Sequence, residues 1–292
     1  MSARRSLVLS VVLALGAGAA PLPAQQFVTF PGWAHDVTPD GAVVVGNNAN
    51  GALYWRWQID PSPVSIGGNL AVAVSDDGTV IAGNIDHPVT GEEVAARWTA
   101  ETGWVSLDGF DTCGSLSTAY DISGDGQQIV GLAWIGCNAR AFRWTEGTGM
   151  ELLDELGFGD NRASTISSDG AVMAGFGDAG LLTNRWPAVW AADKTGEIWN
   201  PPVLGEVNGL NNDGSVQLGT AGATTPSKAF YKSAATGVVY LGSLQFGWGS
   251  YAYAISEGGG TIVGFDSQGL ARKAWIRQAP SHALVALQGH LT

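Results

Sequence analysis

Six copies of one short phrase divide this chain: a residue pair at a tight turn, then β-branched residues, then a glycine. The clearest copies run from Val74 to Gly83 and from Asp121 to Gly131. The closing glycines are Gly46, Gly83, Gly131, Gly175, Gly219 and Gly264. They are separated by 37, 48, 44, 44 and 45 residues, which is the length of one four-stranded sheet unit. The repeat therefore predicts the architecture and leaves the function open.

The third repeat is the most regular and shows how one unit is expected to fold. Asp125-Gly126 is a strong hairpin signal, because glycine tolerates positive φ and aspartate can bond its own backbone. The segments around it alternate or are rich in β-branched residues, as strands are. The four predicted antiparallel strands are 119–123, 127–134, 139–145 and 150–153.

One four-stranded unit cannot bury both of its faces, so the six units must pack on each other. Radial closure gives a six-bladed all-β propeller, whereas linear stacking gives a solenoid, which usually has shorter coils and capping repeats. We therefore predict a propeller of four-stranded antiparallel blades. Two segments compete for the last strand of the ring, 27–30 and 283–287.

Large side chains recur at one position of the third strand. Tryptophan occupies it in the first four repeats, and a cation occupies it in the last two; the residues are Trp55, Trp98, Trp144, Trp190, Lys232 and Arg277. Because the position is periodic and lies mid-strand, the rings are expected to pack between neighbouring sheets. The alternative is a ring of aromatic platforms for sugars.

Residues 1–24 have the pattern of a signal peptide. Arg4 and Arg5 precede an apolar run from Leu7 to Ala20, which is too short to span a bilayer comfortably, and Ala24 offers a small residue for cleavage. The mature chain, 25–292, is predicted to be a single propeller domain of six repeats of about 44 residues. We expect it to be secreted or periplasmic, with no membrane insertion after cleavage.

The mature chain is strongly acidic. Cleavage removes two of the 14 basic residues and none of the 26 acidic ones, so the formal net charge becomes −14. Such a surface repels nucleic acid and anionic lipid, which argues against both as partners. It suits a solvated extracellular protein, and a cationic partner remains open.

The run from Arg140 to Gly157, followed by 163–170, resembles the extracellular HAF-repeat family. That family's pattern is His-Ala-Phe, a Trp and Gly turn, Leu-Gly-x-Leu, and then Ala-x-x-Ile/Val before a polar-Gly turn. Segments 241–244 and 252–256 repeat it. The resemblance implies export and a propeller-like fold, but no particular activity. This chain lacks the family histidine, where Arg140, Lys228 and Lys273 stand.

Cys113 and Cys137 fall in one repeat, in the loop before the first strand and in the loop between the second and third strands. In an up-and-down sheet these loops emerge at the same end, so a disulfide is possible, and an exported protein meets an oxidising compartment. The Asp-Gly turns invite a calcium interpretation, but most offer a single carboxylate where a hard cation needs six or more oxygens. We interpret them as structural turns.

No catalytic pattern stands out. The four histidines form no HxH or HExxH spacing, and there is no GxSxG elbow, so neither a metal site, a cofactor nor a serine nucleophile is predicted. The most polar loop carries Asp86, His87, Glu92 and Glu93, which could act as acid and base groups. A solvated loop explains them as well.

A ligand of a propeller is expected where the loops before the first strand and between the second and third strands converge on the central channel. Exposed aromatics beside carboxylates at such a mouth suit sugar or peptide recognition. Alternatively, the rings plug the channel. The predicted binding residues are Trp33, His35, Asp111, Tyr120, Trp134, Asp160, Arg162, Trp248 and Tyr253.

Three functions compete for this scaffold. An exported binding module for a surface glycan, a peptide or another extracellular protein needs only the scaffold and one decorated end. A polysaccharide hydrolase or lyase needs converging carboxylates or a metal, which the sequence does not show. A structural surface component would need an anchor. The sequence therefore favours a monomeric binding module over an enzyme.

If the two cysteines pair, the mature chain measured by mass spectrometry without reductant is two hydrogens lighter than the reduced chain. The bond closes a loop of about 25 residues, worth about 3 kcal/mol on the chain-entropy model. Free thiols detected by alkylation of the unreduced protein would contradict the pairing.

Overall fold

The computed structural model describes residues 29–111, 113–178, 180, 185–199, 204–222, 226–279, 281 and 283–287. The predicted signal peptide, 1–24, lies outside these residues. Among them no helix has the length and apolar character needed to cross a membrane. Within the described residues, twenty-four strands form six separate antiparallel sheets of four strands each.

Each sheet is one blade and is built from four strands in chain order. Blade 1 consists of β1 (Trp33–Val37), β2 (Val43–Asn48), β3 (Gly51–Arg56) and β4 (Val64–Ser65). Blade 2 consists of β5 (Leu70–Val74), β6 (Val80–Asp86), β7 (Glu93–Thr99) and β8 (Gly103–Ser106). Blade 3 consists of β9 (Ser117–Ile122), β10 (Gln128–Ile135), β11 (Asn138–Thr145) and β12 (Gly149–Leu152).

The second half of the chain repeats the arrangement. Blade 4 consists of β13 (Asn161–Ile166), β14 (Val172–Asp178), β15 (Arg185–Ala191) and β16 (Gly196–Ile198). Blade 5 consists of β17 (Gly205–Leu210), β18 (Val216–Ala221), β19 (Lys228–Ser233) and β20 (Gly237–Tyr240). Blade 6 consists of β21 (Gly249–Ile255), β22 (Thr261–Gln268), β23 (Ala271–Gln278) and β24 (Val285–Ala286).

The first strand of every blade is the inner strand, and residues of all six inner strands line one central cavity. The blades are thus arranged radially, as a propeller requires and a solenoid does not. The predicted six-bladed all-β propeller of four-stranded antiparallel blades is confirmed.

Each closing glycine lies opposite a β-bulge of the inner strand. In blade 4, Gly175 pairs with Ala163, and the register shifts between Ala163 and Thr165, which leaves Ser164 unpaired. A Cβ built on Gly175 would lie 2.0 Å from the carbonyl oxygen of Arg162. The other five closing glycines show the same approach, at 2.0 to 2.1 Å. Glycine therefore recurs because any side chain there would collide with the bulged strand.

In blades 1 to 5 an Asp-Gly turn joins the inner strand to the second strand, and these turns are structural. In blade 3, Ser123 Oγ donates to Asp125 Oδ1 at 2.6 Å, and Gln127 N donates to the same oxygen at 2.9 Å. Gly126 follows with a φ of 69°. The carboxylate is thus engaged in shaping the turn, as predicted.

Buried apolar clusters join each blade to the next, from blade 1 to blade 6. Trp98, Trp144 and Trp190 each pack in the cluster shared with the preceding blade, and Trp55 packs with Phe30. The predicted packing role of the tryptophans is confirmed. In the last two blades the equivalent Lys232 and Arg277 lie over aromatic rings instead, those of Trp199 and Tyr231.

The last strand of the ring comes from the C-terminal candidate. Val285–Ala286 pairs with β23, whereas Thr29 and Phe30 form no strand and 27–28 lie outside the described residues. The expectation that 27–30 could be this strand is therefore wrong for its described part. Cys113 and Cys137 form the predicted disulfide, with their Cα atoms 5.1 Å apart.

We expect Gly175→Ala to lower the free energy of unfolding by about 3 kcal/mol, because the new methyl group collides with backbone that cannot move without removing the bulge. Chemical denaturation followed by tryptophan fluorescence measures the change. Gly147→Ala is the matched control, since nothing lies within 4 Å of a Cβ there. Equal stability of both variants would refute this account of the repeat.

Candidate functional site

A cavity of about 560 Å³ lies on the propeller axis. We call it the well. The six bulge residues of the inner strands all line it: His35, Val72, Tyr120, Ser164, Asn208 and Tyr253. A bulge re-aims the side chain that it leaves unpaired. Here the six bulges direct six side chains onto one volume.

The chemistry of the well differs from blade to blade, although the scaffold repeats. The residue paired with the closing glycine is valine in blade 5 and alanine in the other five blades. The next residue, the bulge residue, is an imidazole, an isopropyl group, a hydroxyl, an amide or, twice, a phenol. Packing thus restricts the residue paired with the closing glycine to alanine or valine, whereas the residue at the bulge position varies from blade to blade.

The well is narrow at the end where the inner strands turn into the second strands. Ser168 Oγ donates to Asp76 Oδ2 at 2.6 Å, and this bond crosses over Gly124 of the blade between them. Around it, Asp76 N donates to Gly124 O and Gly124 N donates to Ser168 O, both at 2.9 Å. Asn212 N continues the chain of bonds to Glu257 O. A ligand would therefore reach the well from the opposite end, the mouth, where the inner strands begin.

Two carboxylates in the wall of the well hold successive blades together. Asp36 Oδ2 accepts a hydrogen bond from Val74 N of blade 2 at 2.9 Å, and Asp121 Oδ2 accepts one from Ile166 N of blade 4 at 2.9 Å. Their other oxygens accept from the next residue of their own strands, Val37 N and Ile122 N, at 2.8 Å. Both side chains therefore have defined structural partners.

The same two carboxylates hold protons unusually well. The surrounding blades keep bulk water away, and this desolvation raises the pKa of Asp36 to about 7, with the charge of Asp121 adding to the effect. Desolvation likewise raises the pKa of Asp121 to about 6. Carboxyls of raised pKa in a cavity are typical of functional sites and of buried structural networks alike.

An ionic cluster lies beside the mouth, where blades 3, 4 and 5 meet. Arg162 donates from Nε to Ser164 Oγ at 2.9 Å, from Nη1 to Tyr120 Oη at 3.1 Å, and from Nη2 to Glu206 Oε1. Arg185 Nη1 donates to Glu206 Oε2 at 2.6 Å. These bonds give the mostly buried pair of Arg162 and Glu206 the hydrogen-bond partners that a buried ion pair requires.

Aromatic rings cover the two guanidinium groups of this cluster. The Arg162 group lies 4.3 Å from the centre of the Tyr120 ring and 5.0 Å from that of Phe176. Arg185 lies 4.1 Å from the Phe176 ring, and 46% of its side chain is exposed. Arg185 is therefore the part of the cluster that a ligand could touch.

The structure brings four of the nine predicted binding residues together. His35, Tyr120 and Tyr253 line the well, and Arg162 bonds Tyr120 at its side. His35 Nε2 hydrogen bonds Asn47 Oδ1 at 2.8 Å, and Tyr253 is 53% exposed.

Trp33 precedes the well on β1 and does not line it; it is 43% exposed. Asp160 accepts a hydrogen bond from Ala139 N at 2.8 Å and so holds the third strand of blade 3. Trp248 lies 5.6 Å from the Lys273 Nζ, at the side of blade 6.

Asp111 and Trp134 pair with each other rather than with the axis. They form an isolated bridge beside the disulfide, where Trp134 Nε1 donates to Ser115 Oγ at 2.8 Å and Asp111 Oδ2 accepts from Gly136 N at 3.0 Å. Neither lines the well: Trp134 lies on the second strand, one strand away from the axis, and Asp111, in the loop before β9, pairs with it there. The expectation that these loops converge on the channel is corrected for Asp111 and Trp134.

The polar loop after β6 does not bring its candidate acid and base residues to the well. Asp86 accepts a hydrogen bond from Asn69 Nδ2 at 2.8 Å, and His87 Nε2 lies 3.5 Å from Asp108 Oδ1. Neither lines the well. Within the described ranges, no group of three or more His, Cys, Asp or Glu side chains is arranged to hold a metal ion.

Sequence reasoning missed Ser164, Asn208 and Glu206. A signal existed, because superposing the repeats on the closing glycine places Ser164 and Asn208 at the bulge position and Arg162 and Glu206 at the same position of neighbouring blades. That alignment would have placed opposite charges side by side.

A larger groove, of about 910 Å³, lies along the turns and outer strands of blades 1 to 3. Its lining includes Arg56, Asp77, Arg97, Thr99 and Glu146. These are residues of ordinary hairpin turns and strand ends, and Arg56 and Asp77 are already bonded to Asp60 and Thr79. The well, whose lining converges from all six blades, is therefore the stronger candidate site.

No family model and no curated protein matches this chain. Several solved structures share its fold. TolB from Acinetobacter baumannii is similar with a TM-score of 0.55 and 14% identity over 87% of this chain, which spans 62% of TolB. Oligogalacturonate lyase from Vibrio parahaemolyticus is similar with a TM-score of 0.56 and 12% identity, over 84% of this chain and 76% of the lyase.

The β-propeller domain of the Trilobed protease from Pyrococcus furiosus, which has an open velcro topology, is similar with a TM-score of 0.56 and 9% identity. The match covers 81% of this chain and 77% of that domain. At these identities the likenesses show the propeller fold alone.

We expect Asp36→Asn to remove a pH dependence of stability. The pKa of Asp36 is raised from its ordinary value of 3.8 to about 7, so its contribution is complete below pH 3.8 and is lost as the pH rises through 7. The melting temperature of the variant relative to the parent should therefore rise between pH 5 and pH 8. Asp40→Asn is the control: the pKa of Asp40 is lowered by Thr38 and by Ala42 N, so its offset stays constant in this range. Parallel curves for Asp36→Asn and the parent would contradict the prediction.

Proposed function

We propose that this chain is an exported binding module that takes a hydroxyl- or amine-rich group of an extracellular glycan into the well. One observation carries the proposal: six equivalent bulges of a repeating scaffold present six side chains of varied chemistry to one cavity of about 560 Å³. That volume is typical of small-molecule sites. A scaffold needs only packing at these positions, whereas five of the six bulge residues carry a polar group and only Val72 is apolar.

The lining indicates the class of ligand. Tyr120 and Tyr253 offer aromatic faces for the apolar side of a sugar ring, and Ser164 and Asn208 offer hydroxyl and amide groups. Asp36, Asp76, Asp121 and Glu257 also line the well, and none of the described lining residues is lysine or arginine. Because these acidic groups would repel an acidic sugar, a neutral or amino sugar suits the well better.

The proposal also includes the location of the module. The disulfide between Cys113 and Cys137 is typical of exported proteins, and the proposed location is the periplasm or the medium. Membership of the HAF-repeat family and a monomeric state are part of the proposal and rest on the sequence. A peptide or another extracellular protein is the alternative ligand.

The alternative function is a polysaccharide hydrolase or lyase. One observation favours it: two carboxyls of raised pKa, Asp36 and Asp121, lie in the cavity wall. Against it, both oxygens of each carboxyl accept backbone hydrogen bonds that hold blades together. An acid or base bound in this way is poorly free to exchange protons with a substrate.

We expect the mature protein to bind neutral or amino sugars on a glycan array, and Tyr253→Ala to weaken that binding by about tenfold, because an aromatic anchor of the well is lost. Titration calorimetry with the best array ligand measures the loss. Tyr240→Ala is the matched control, since Tyr240 is similarly exposed but lies on the outer strand of blade 5.

Equal losses in the two variants, or binding of acidic glycans alone, would contradict the proposed site. Release of reducing ends or unsaturated products from a polysaccharide, abolished by Asp36→Asn, would favour the alternative enzyme.

A further inference from the structure

Exposed aromatic side chains gather at one end of the propeller. Six aromatic residues of the described chain are exposed, and only Tyr240 lies away from the mouth, on an outer strand. Tyr253 lines the well. The other four share one structural position, at or before the start of an inner strand, and we call them the mouth rim. They are Trp33 at blade 1, Phe110 at blade 3, Phe158 at blade 4 and Phe246 at blade 6.

Backbone contacts hold the rim residues at the mouth. Trp33 pairs with the end of β2, and Phe158 N donates to Asp178 O, at the end of β14, at 3.0 Å. Phe110 precedes Asp111, which bridges to the end of β10. Because the strands of each blade are antiparallel, the second strands end where the inner strands begin, which is at the mouth.

The exposure of the rim distinguishes it from ordinary packing. Phe158 is 73% exposed, and Phe246 is fully exposed. Single exposed apolar residues are normal on a protein surface, but here an aromatic ring recurs at one position of four blades. Covering such a ring removes apolar surface from water and is favourable. The rim is therefore a set of platforms placed around the well.

The rim residues lie in pairs on opposite sides of the mouth. Successive blades contact each other around the ring, so blade 1 faces blade 4 and blade 3 faces blade 6. Trp33 thus lies across the well from Phe158, and Phe246 lies across from Phe110. At the blade 2 entrance, residues 67 and 68 are glycines, and most of the blade 5 entrance lies outside the described residues. The platforms therefore define one line, from blades 6 and 1 to blades 3 and 4, with the well beneath its middle.

We propose that the ligand is a linear neutral or amino glycan that lies across the mouth, with an internal sugar over the well and the flanking sugars on the mouth rim. This inference rests on the proposed function of the well and names the class of glycan. Platforms on both sides of the well suit a chain that continues in both directions, whereas a terminal sugar would use one side only. A bound polypeptide commonly adds a strand to a sheet edge, and the rim lies at the ends of strands rather than along an edge.

The test measures binding of uncharged β-1,4-linked oligomers of glucose and of N-acetylglucosamine, from monomer to hexamer, by titration calorimetry. We expect the hexamer to bind at least about tenfold more tightly than the monomer, because its flanking sugars cover rim rings. Phe158→Ala and Phe246→Ala should each weaken hexamer binding about fivefold and leave monomer binding unchanged. Ile59→Ala is the matched control, since Ile59 is 74% exposed but lies at the opposite end, between β3 and β4.

A second measurement locates the bound sugar along the chain. Light scattering with soluble glycol chitin should show several protein molecules on one long chain, because internal sugars suffice for binding. One protein molecule per chain would instead assign a terminal sugar to the well and overturn the proposal.

The outcomes separate this inference from the proposed function. Equal affinities for monomer and hexamer would overturn the inference and leave sugar binding in the well in place, whereas no binding at any length would contradict both. Equal losses of monomer and hexamer binding in the Phe158 and Phe246 variants would also overturn it. Binding of apolar peptides that both variants weaken, without a length effect among the sugars, would assign the rim to a polypeptide instead.

Discussion

The structure depends on one steric contact, made six times. At each closing glycine the carbonyl oxygen of the inner strand lies where a Cβ would be. Only glycine admits this approach, and the approach is what allows the inner strand to bulge. The bulge in turn rotates one side chain per blade onto the axis. The closing glycine, which recurs in every repeat, thus creates the lining of the well, which differs from blade to blade.

Near the axis, some charged groups hold neighbouring blades together, whereas other polar groups are open to a ligand. Asp36 and Asp121 join blade 1 to blade 2 and blade 3 to blade 4 through backbone amides, and the Arg162–Glu206 pair joins blade 4 to blade 5. These contacts are local and directional, so they set the spacing of the inner strands. The groups left open to the well, such as Tyr253 and Asn208, have no such duty in blade packing and are available to a ligand.

The residues that sequence reasoning placed correctly lie on the inner strands. His35, Tyr120 and Tyr253 were recognised because they begin strands near the axis, and they line the well. Asp111, Trp134 and Trp248 were placed at the mouth because their loops lie at the same end of the propeller. The structure places them away from the well: Trp134 is one strand out from the axis, and Asp111 and Trp248, which precede inner strands, contact Trp134 of a second strand and Lys273 of a third strand. Ser164 and Glu206 were missed because a one-residue bulge shifts which side chain points inward.

By itself, the sequence determined the number of blades, the four strands in each, the packing of the tryptophans and the cysteine pair. All of these follow from spacing, because a strand, a turn and a repeat each have a fixed length along the chain. Only the tertiary structure decided which side chains meet on the axis and that one end of the well is narrowed by the Asp76–Ser168 bond. These depend on the bulge register and on contacts between residues up to 92 positions apart, and no local pattern encodes a distance across the ring.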